Sequence, residues 1–164
     1  MTAGQHIVPI ERIAEKIYLI RDAKVMLDSD LAELYGITTG NLNKAVKRNI
    51  RRFPDDFMFQ LSPEEYESLK FQIGIANEGR GGRRVPPYVF TEQGVAMLSS
   101  VLHTDRAIDI NVSIMRAFVR LRELLATHKD VVRKLEEHDR HIANLYAHVE
   151  RLLTPPERET NPIG

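Results

Sequence analysis

The chain has 164 residues, of which 43% are hydrophobic and 28% charged, enough for one hydrophobic core. Its 23 basic and 23 acidic residues cancel, so the net charge gives no argument for a polyanionic partner. Cysteine is absent, which excludes disulfides and thiolate chemistry. The first residues lack the apolar core of a signal peptide, and no apolar run approaches the roughly 18–20 residues of a membrane span. We therefore expect a cytoplasmic protein with no membrane partner.

The charges are distributed unevenly along the chain. Residues 1–54 carry nine Lys/Arg and six Asp/Glu, residues 55–76 carry one and five, and residues 77–90 carry three and one. Two basic segments therefore flank an acidic one. This pattern favours local binding of an anionic partner.

Three segments predict a small antiparallel sheet. The run IYLIRDAKVML, residues 17–27, indicates either a short hairpin or a helix end followed by a strand. Alternation in residues 57–61 predicts a second strand region. The run YVF, just before Thr91, predicts a further strand, most economically paired with residues 57–61.

Five helices are predicted from cap residues and periodicity. We expect Asp28 to cap a helix that Gly36 ends, and Thr38 or Thr39 to cap a second helix that runs to about Arg51.

The remaining helices follow the first strands. Ser62, Pro63 and Glu65 form a capping-box pattern for a helix to about Ile75. Thr91 and Thr104 are the expected caps of two more helices, the second of them long.

Residues 28–48 have the pattern of a helix-turn-helix motif. The motif needs a small residue where the helices cross, a turn residue that tolerates positive φ, and apolar residues on the facing sides. Ala32 and Gly36 satisfy the first two needs. The apolar set consists of Leu31, Tyr35, Ile37, Leu42 and Ala45.

The second helix, residues 39–51, is the predicted DNA-reading element. In DNA-binding motifs of this kind it lies in the major groove with its N-terminal residues at base edges. Asn43 is suited to bidentate contact with adenine, Thr39 to a thymine methyl or base edge, and Gly40 to close backbone approach. The predicted DNA-binding residues here are Thr38, Thr39, Gly40, Asn43, Lys44, Lys47, Arg48, Arg51 and Arg52, the basic ones mostly on phosphates. A basic face that meets only solvent is the alternative.

The arginines at residues 48–52 and the loop GRGGRR each have a second interpretation. One of the arginines at residues 48–52 can pair with Asp55 or Asp56 instead of a phosphate. The loop GRGGRR is either a wing that follows the DNA backbone or enters the minor groove, or a surface loop whose arginines meet only water. Its candidate DNA-binding residues are Arg80, Arg83 and Arg84. The loop lacks the lysine followed by Ser or Thr of a phosphate-cradling enzyme loop.

Residues 105–153 predict one long helix of coiled-coil character, followed by a disordered tail at residues 154–164. Alternating steps of three and four from Phe118 reach mostly apolar residues over about five heptads. The predicted oligomerisation residues are Phe118, Leu121, Leu125, Val132, Leu135, Ile142, Tyr146, Val149 and Leu153. His128 and Asp139 share the stripe and either set its register or interrupt its packing. Leu124, Val131, Leu145 and Leu152 widen it, so we expect a homo-oligomer, dimer or higher.

Three blocks carry a family resemblance: VMLDSDLAELYGITTGNLNKAVKRNIRRFPDDFMFQLSPEE, GGRRVPPYVFTEQGVAMLSSVL and AIDINVSIMRAF. Over residues 10–122 the chain resembles the phage open-reading-frame-six N-terminal domain family, a KilA-N-type DNA-binding domain. The resemblance implies a small α+β DNA-binding domain found in phages, prophages and bacterial genomes. It also implies regulatory roles, including antirepressor-like ones.

The sequence as a whole therefore predicts an α+β head, residues 1–104, followed by the oligomerisation helix, residues 105–153. The head combines a helix-turn-helix with a small antiparallel sheet and a wing-like loop. The expected function is sequence-specific binding of double-stranded DNA by a transcriptional regulator of phage or prophage type. The alternative is an antirepressor-like interaction module that binds a repressor or another protein.

We expect no enzymatic activity. The candidate acids fit helix caps and turns, and no nucleophile–base or carboxylate-pair arrangement stands out. His138, His141 and His148 lie on a charged helix, where solvation is the ordinary state of such residues. No catalytic residue, cofactor or metal is therefore predicted.

Overall fold

The computed structural model describes residues 8–73 and 85–154. The fold is α+β, as predicted, with a four-stranded antiparallel sheet, several short helices and one long C-terminal helix. The chain divides into two compact units, Met1–Leu121 and Arg122–Gly164. Within the described ranges, no helix combines the length and apolarity that crossing a membrane requires.

The sheet has the strand order β1-β2-β4-β3, and every neighbouring pair is antiparallel. Its strands are β1 (Ile17–Ile20), β2 (Ala23–Leu27), β3 (Met58–Gln60) and β4 (Tyr88–Thr91). Phe90 at the centre of β4 lies opposite Met26 on one side and Met58 on the other. The predicted pairing of the YVF strand with residues 57–61 is therefore confirmed.

The β1–β2 connection is a two-residue hairpin, the first of the two predicted alternatives. Arg21 and Asp22 both have positive φ, 52° and 61°, as the central residues of a type I′ turn require. Arg21 is held there by two hydrogen bonds of 2.8 Å to the carboxylate of Glu65. Its guanidinium carbon also lies 4.5 Å from the ring centre of Phe59. This ion pair, together with the Ser62 backbone N–H, holds the pKa of Glu65 down at about 2.

Within residues 8–73 and 85–154, six helices accompany the sheet. They are α1 (Ile10–Ala14), α2 (Asp28–Tyr35), α3 (Thr39–Arg48), α4 (Pro63–Ile73), α5 (Glu92–Leu98) and α6 (Asp105–Leu153). The predicted capping box is present: the Ser62 N–H donates to Glu65 Oε1 at 2.8 Å, and the Glu65 N–H to Ser62 Oγ at 3.1 Å. Thr91 accepts from the Gly94 N–H, and Thr104 from the Ala107 N–H.

Two helix boundaries differ from the prediction. Leu27, and not Asp28, occupies the N-cap position of α2, and the apolar Leu27 side chain makes no cap hydrogen bond. The second helix ends at Arg48 and not at about Arg51, because Asn49 leaves the helical region with φ −123° and ψ 32°. A short 3-10 helix, Ile50–Arg52, follows it. The predicted extension of α4 to about residue 75 lies outside the described residues.

The two faces of the sheet bury different residues, because successive side chains of a strand point to opposite faces. Met26 and Phe90 belong to the larger core cluster, which includes residues of α2, α3, α5 and α6. Val25 and Val89 belong to the smaller cluster, to which α4 contributes Leu69. The sheet therefore supports α2 and α3 on one face and α4 on the other.

The beginning of α6 is part of the head, so the first unit extends to residue 121 and not to residue 104. Its buried residues are Ala107, Ile110, Asn111, Ile114, Ala117 and Phe118. The assignment of Phe118 to oligomerisation is therefore wrong, because its side chain is 1% exposed and packs in the head core. The hydroxyl of Tyr35 donates to Asn111 Oδ1 and joins α2 to α6. Burial raises the pKa of Tyr35 and keeps the donor protonated.

Candidate nucleic-acid interface

α2 and α3 are joined by the three residues Gly36, Ile37 and Thr38. Gly36 adopts the left-handed conformation, φ 73° and ψ 31°, in which a residue with a side chain is strained. A Cβ at this position would also lie 3.1 Å from Arg106 Nε. Thr38 then caps α3 by accepting a 3.0 Å hydrogen bond from the Asn41 N–H. Of the two predicted caps of α3, the structure selects Thr38.

The residues predicted to pack between the two helices are buried or half-buried. Leu31, Ala32, Tyr35 and Leu42 are buried, and Ile37 and Ala45 are half-buried. Val46 of α3 is buried as well and belongs to the same core cluster. One side of α3 is therefore fixed against the head, which leaves the opposite side to the surface.

The surface side of α3 and the 3-10 helix is cationic. Its exposed residues are Thr38, Gly40, Asn41, Lys44, Lys47, Arg48, Arg51 and Arg52, while Thr39 is half-buried. No acidic residue occurs between positions 38 and 54. Within residues 8–73 and 85–154, none of the five cations forms a salt bridge, so the alternative pairing with Asp55 or Asp56 is not observed. We call these five cations the basic face.

The arginines of the basic face line an open surface concavity of about 550 Å³. It is bordered by Arg48, Asn49, Ile50, Arg51 and Arg52. A guanidinium presents several N–H donors in a planar fork that matches phosphate oxygens. The concavity is therefore chemically suited to a segment of phosphate backbone.

Asn43 has a different environment from the one predicted. Its side chain is half-buried, and Nδ2 donates a 3.1 Å hydrogen bond to Asp28 Oδ2. Asp28 is fully buried and also accepts from the backbone N–H groups of Ser29, at 2.7 Å, and Tyr88, at 3.3 Å. The Asp28 carboxylate thus joins α2, α3 and β4. The amide oxygen and second N–H of Asn43 are the atoms left for a base edge, so its predicted adenine contact stays a prediction.

A family model for the ORF6N domain matches residues 15–101, which is more than half of the chain. The chain belongs to the ORF6N domain family. The matched range contains the whole sheet, α2 and α3, and it ends before α6 begins. No curated protein and no solved structure gave a significant match.

The ORF6N domain has an apolar cleft beside the basic face that sequence reasoning missed. Its volume is about 250 Å³, and it is lined by the apolar residues Val46, Ile50, Met58 and Tyr88 together with Asn43 and Lys47 of α3. Ile50 is 52% exposed. The sequence signal for this cleft is Ile50 itself, because an isoleucine within a run of basic residues has no local reason to be apolar. Asp28 was also missed, since a carboxylate before a helix resembles an ordinary cap.

The predicted wing-like loop also belongs to the ORF6N domain. Arg80, Arg83 and Arg84 lie outside the described residues, so the wing-like loop stays a prediction. In the part of the chain that the structure describes, no three His, Asp or Glu side chains are grouped as a metal site would require.

The stripe predicted for oligomerisation lies entirely beyond the ORF6N match. Leu121 is half-buried, and every residue from 122 to 154 is exposed. The exposed apolar side chains of this segment are Leu124, Leu125, Val131, Val132, Leu135, Ile142, Leu145, Tyr146, Val149, Leu152 and Leu153. We call this set the α6 stripe.

Proposed function

We propose that the ORF6N domain binds double-stranded DNA with α3 in the major groove and acts as a sequence-specific regulator of phage or prophage type. The observation that carries the proposal is the basic face. It consists of five exposed cations with no acidic residue between positions 38 and 54, and they lie on and directly after α3, whose opposite side packs in the core of the head. A helix anchored in this way can enter a groove as a rigid body. Its cations then neutralise phosphates, which supplies affinity.

The position of each residue along α3 supports a division of roles. Thr38, Thr39 and Asn43 belong to the first turns of α3 or precede it, where recognition helices contact base edges. Lys44 and Lys47 follow on the exposed side, and the three arginines extend the cationic surface. Because the cations contact phosphates, they set orientation and affinity without reading sequence.

Self-association is the second part of the proposal. The α6 stripe supports a homo-oligomer, because a row of exposed apolar side chains at heptad spacing loses water when a second helix covers it. An assembly with two or more copies of α3 predicts a two-fold or repeated DNA element.

The test is binding of a fluorescent random-sequence duplex, measured by anisotropy between 50 and 200 mM salt. Five phosphate contacts predict a slope of log K against log salt of about −4.5, which is about 500-fold weaker binding over this range. Lys44→Ala/Lys47→Ala should reduce the slope to about −2.7 and the loss to about 40-fold. The matched control is Lys134→Ala/Arg140→Ala, which removes the same charge from exposed positions of α6. An unchanged slope in the first variant, or no binding by wild type at low salt, would contradict the proposal.

A second function, docking of a repressor or other protein, is favoured by the apolar cleft beside α3. Such a cleft accepts the apolar anchor residue that dominates many protein interfaces. Ile50→Ser separates the two functions, since it removes apolar surface and no charge. DNA binding predicts a wild-type salt slope for this variant, whereas docking of an apolar anchor predicts loss of the partner.

A further inference from the structure

The proposed self-association is assigned to the α6 stripe. The residues at the heptad positions of this part of α6 distinguish parallel from antiparallel pairing of two helices. In heptad notation the a positions are Leu125, Val132, Asp139, Tyr146 and Leu153, and the d positions are Leu121, His128, Leu135, Ile142 and Val149. The g positions are Leu124, Val131, His138, Leu145 and Leu152, and the e positions are Arg122, Lys129, Glu136, Ala143 and Glu150. The g row is therefore apolar except at its centre, and the e row is charged except at Ala143.

From these rows, we propose that α6 pairs with α6 of a second copy in antiparallel orientation. The inference rests on the proposed self-association and adds its direction and register. The partner is a second copy because the charges and apolar rows of this one helix complement themselves when the direction is reversed.

Parallel pairing would place unlike groups together along both flanks. In parallel coiled coils each g residue faces an e residue of the partner, one heptad on. Leu124 would face Lys129, and Leu145 would face Glu150, so apolar side chains would lie against charged ones. Asp139 would face Asp139 of the second copy within the seam, where like charges are repelled and poorly hydrated.

Antiparallel pairing changes both flanks, because g then faces g and e faces e. With the a and d pairs centred on residue 137, the g pairs are centred on residue 138 and the e pairs on residue 136. Leu124 therefore faces Leu152 of the second copy, and Val131 faces Leu145. Arg122 faces Glu150 of the second copy, and symmetry repeats this opposite-charge pair at the other end. The apolar g rows thus bury each other, and the outer e charges attract.

The centre of this arrangement contains its polar residues. Asp139 faces Leu135 of the second copy and lies beside that copy's His138, so the carboxylate has an imidazole as neighbour in place of another carboxylate. Glu136 faces its own counterpart on the e flank, which is the one like-charge pair that this register creates. That pair lies at the solvated edge of the seam, where screening weakens repulsion.

Double electron–electron resonance on the full-length chain tests the direction. The chain has no cysteine, so Glu123→Cys, Glu137→Cys and Arg151→Cys each introduce one labelling position, all on the outer f row. Antiparallel pairing predicts about 45 Å between the two labels at position 123, and likewise at 151, from about 1.5 Å per residue and the helix diameters. At position 137 it predicts about 20 Å, and this position is the internal control because parallel pairing gives the same value there.

Each alternative outcome is distinct. A short distance at position 123 would overturn the direction and leave self-association intact. A mass of one chain by light scattering, without dipolar coupling between labels, would overturn self-association as well. A mass of four chains would overturn the proposal that α6 associates as a pair of helices. Leu135→Glu should abolish the pairing, whereas Lys134→Glu, on the outer surface, should not. The duplex anisotropy assay reports DNA binding separately, so failure of the pairing is not confused with failure of DNA binding.

Discussion

Gly94 of α5 lies so close to the chain before β3 that alanine cannot replace it without backbone movement. A Cβ at this position would lie 1.9 Å from the carbonyl oxygen of Phe57 and 2.8 Å from its carbonyl carbon. Restoring ordinary van der Waals contact requires a separation larger by about 1.5 Å. Because the obstacle is backbone, no side-chain rotation relieves it.

The cost follows from what that carbonyl already binds. Phe57 O accepts the Thr91 N–H at 3.0 Å and the Thr91 hydroxyl at 3.2 Å. Moving it weakens both hydrogen bonds, each worth about 1 kcal/mol, in addition to an overpacking cost of about 1–3 kcal/mol. We therefore expect Gly94→Ala to lower the free energy of unfolding by about 3 kcal/mol and Tm by about 10 °C.

Urea unfolding followed by circular dichroism measures this difference, with Gly40→Ala as the matched control. Gly40 is exposed in the first turn of α3, and the nearest heavy atom to an added Cβ, Thr38 Oγ1, is 4.0 Å away. Gly40→Ala should therefore stabilise the protein by up to about 1 kcal/mol through helix propensity. Equal stabilities of the two variants would refute the packing of α5 against the residue 57 carbonyl.

Three further predictions concern an ion pair, a buried hydrogen bond and a left-handed turn. Because the folded-state pKa of Glu65 is depressed to about 2, its pair with Arg21 contributes stability above about pH 4.5 that is lost as pH falls towards 2. The difference in unfolding free energy between wild type and Glu65→Gln should therefore shrink over this range. A difference that stays constant would contradict the ion pair. Tyr35→Phe leaves the buried amide oxygen of Asn111 without its donor and should cost about 1–3 kcal/mol in urea unfolding, whereas Tyr35→Phe/Asn111→Leu should recover part of that loss. Gly36→Ala, at φ 73°, should cost about 1–2 kcal/mol, and a neutral result would argue against the left-handed turn.

The elements that sequence predicted well are those whose signals are local. The reciprocal hydrogen bonds of Ser62 and Glu65, the cap at Thr38 and the left-handed turn at Gly36 all join residues within three or four positions of each other. Such contacts depend on backbone geometry that the same few residues determine. The helix boundaries near them were therefore mostly correct.

The predictions that failed depend on distant residues. Asp28 resembles a cap in isolation, but its carboxylate accepts a hydrogen bond from Tyr88, 60 positions away, on a strand that pairs with the end of β2. Phe118 continues the heptad stripe, yet the core of the head buries it. Periodicity indicates which side of a helix is apolar, but it does not indicate what covers that side.

The order of the strands has a consequence for synthesis of the protein. The central strand pair joins β2 to β4, and the core behind α3 includes residues of α6 as late as Phe118. α3 therefore leaves the ribosome without the structure that supports it. At about 5–20 residues per second, the ribosome adds Phe118 roughly 4–14 s after Arg48. The basic face consequently becomes a rigid surface only after the chain has been synthesised as far as Phe118, and a nascent chain that stalls before α6 carries the cations of α3 without the fold that orients them.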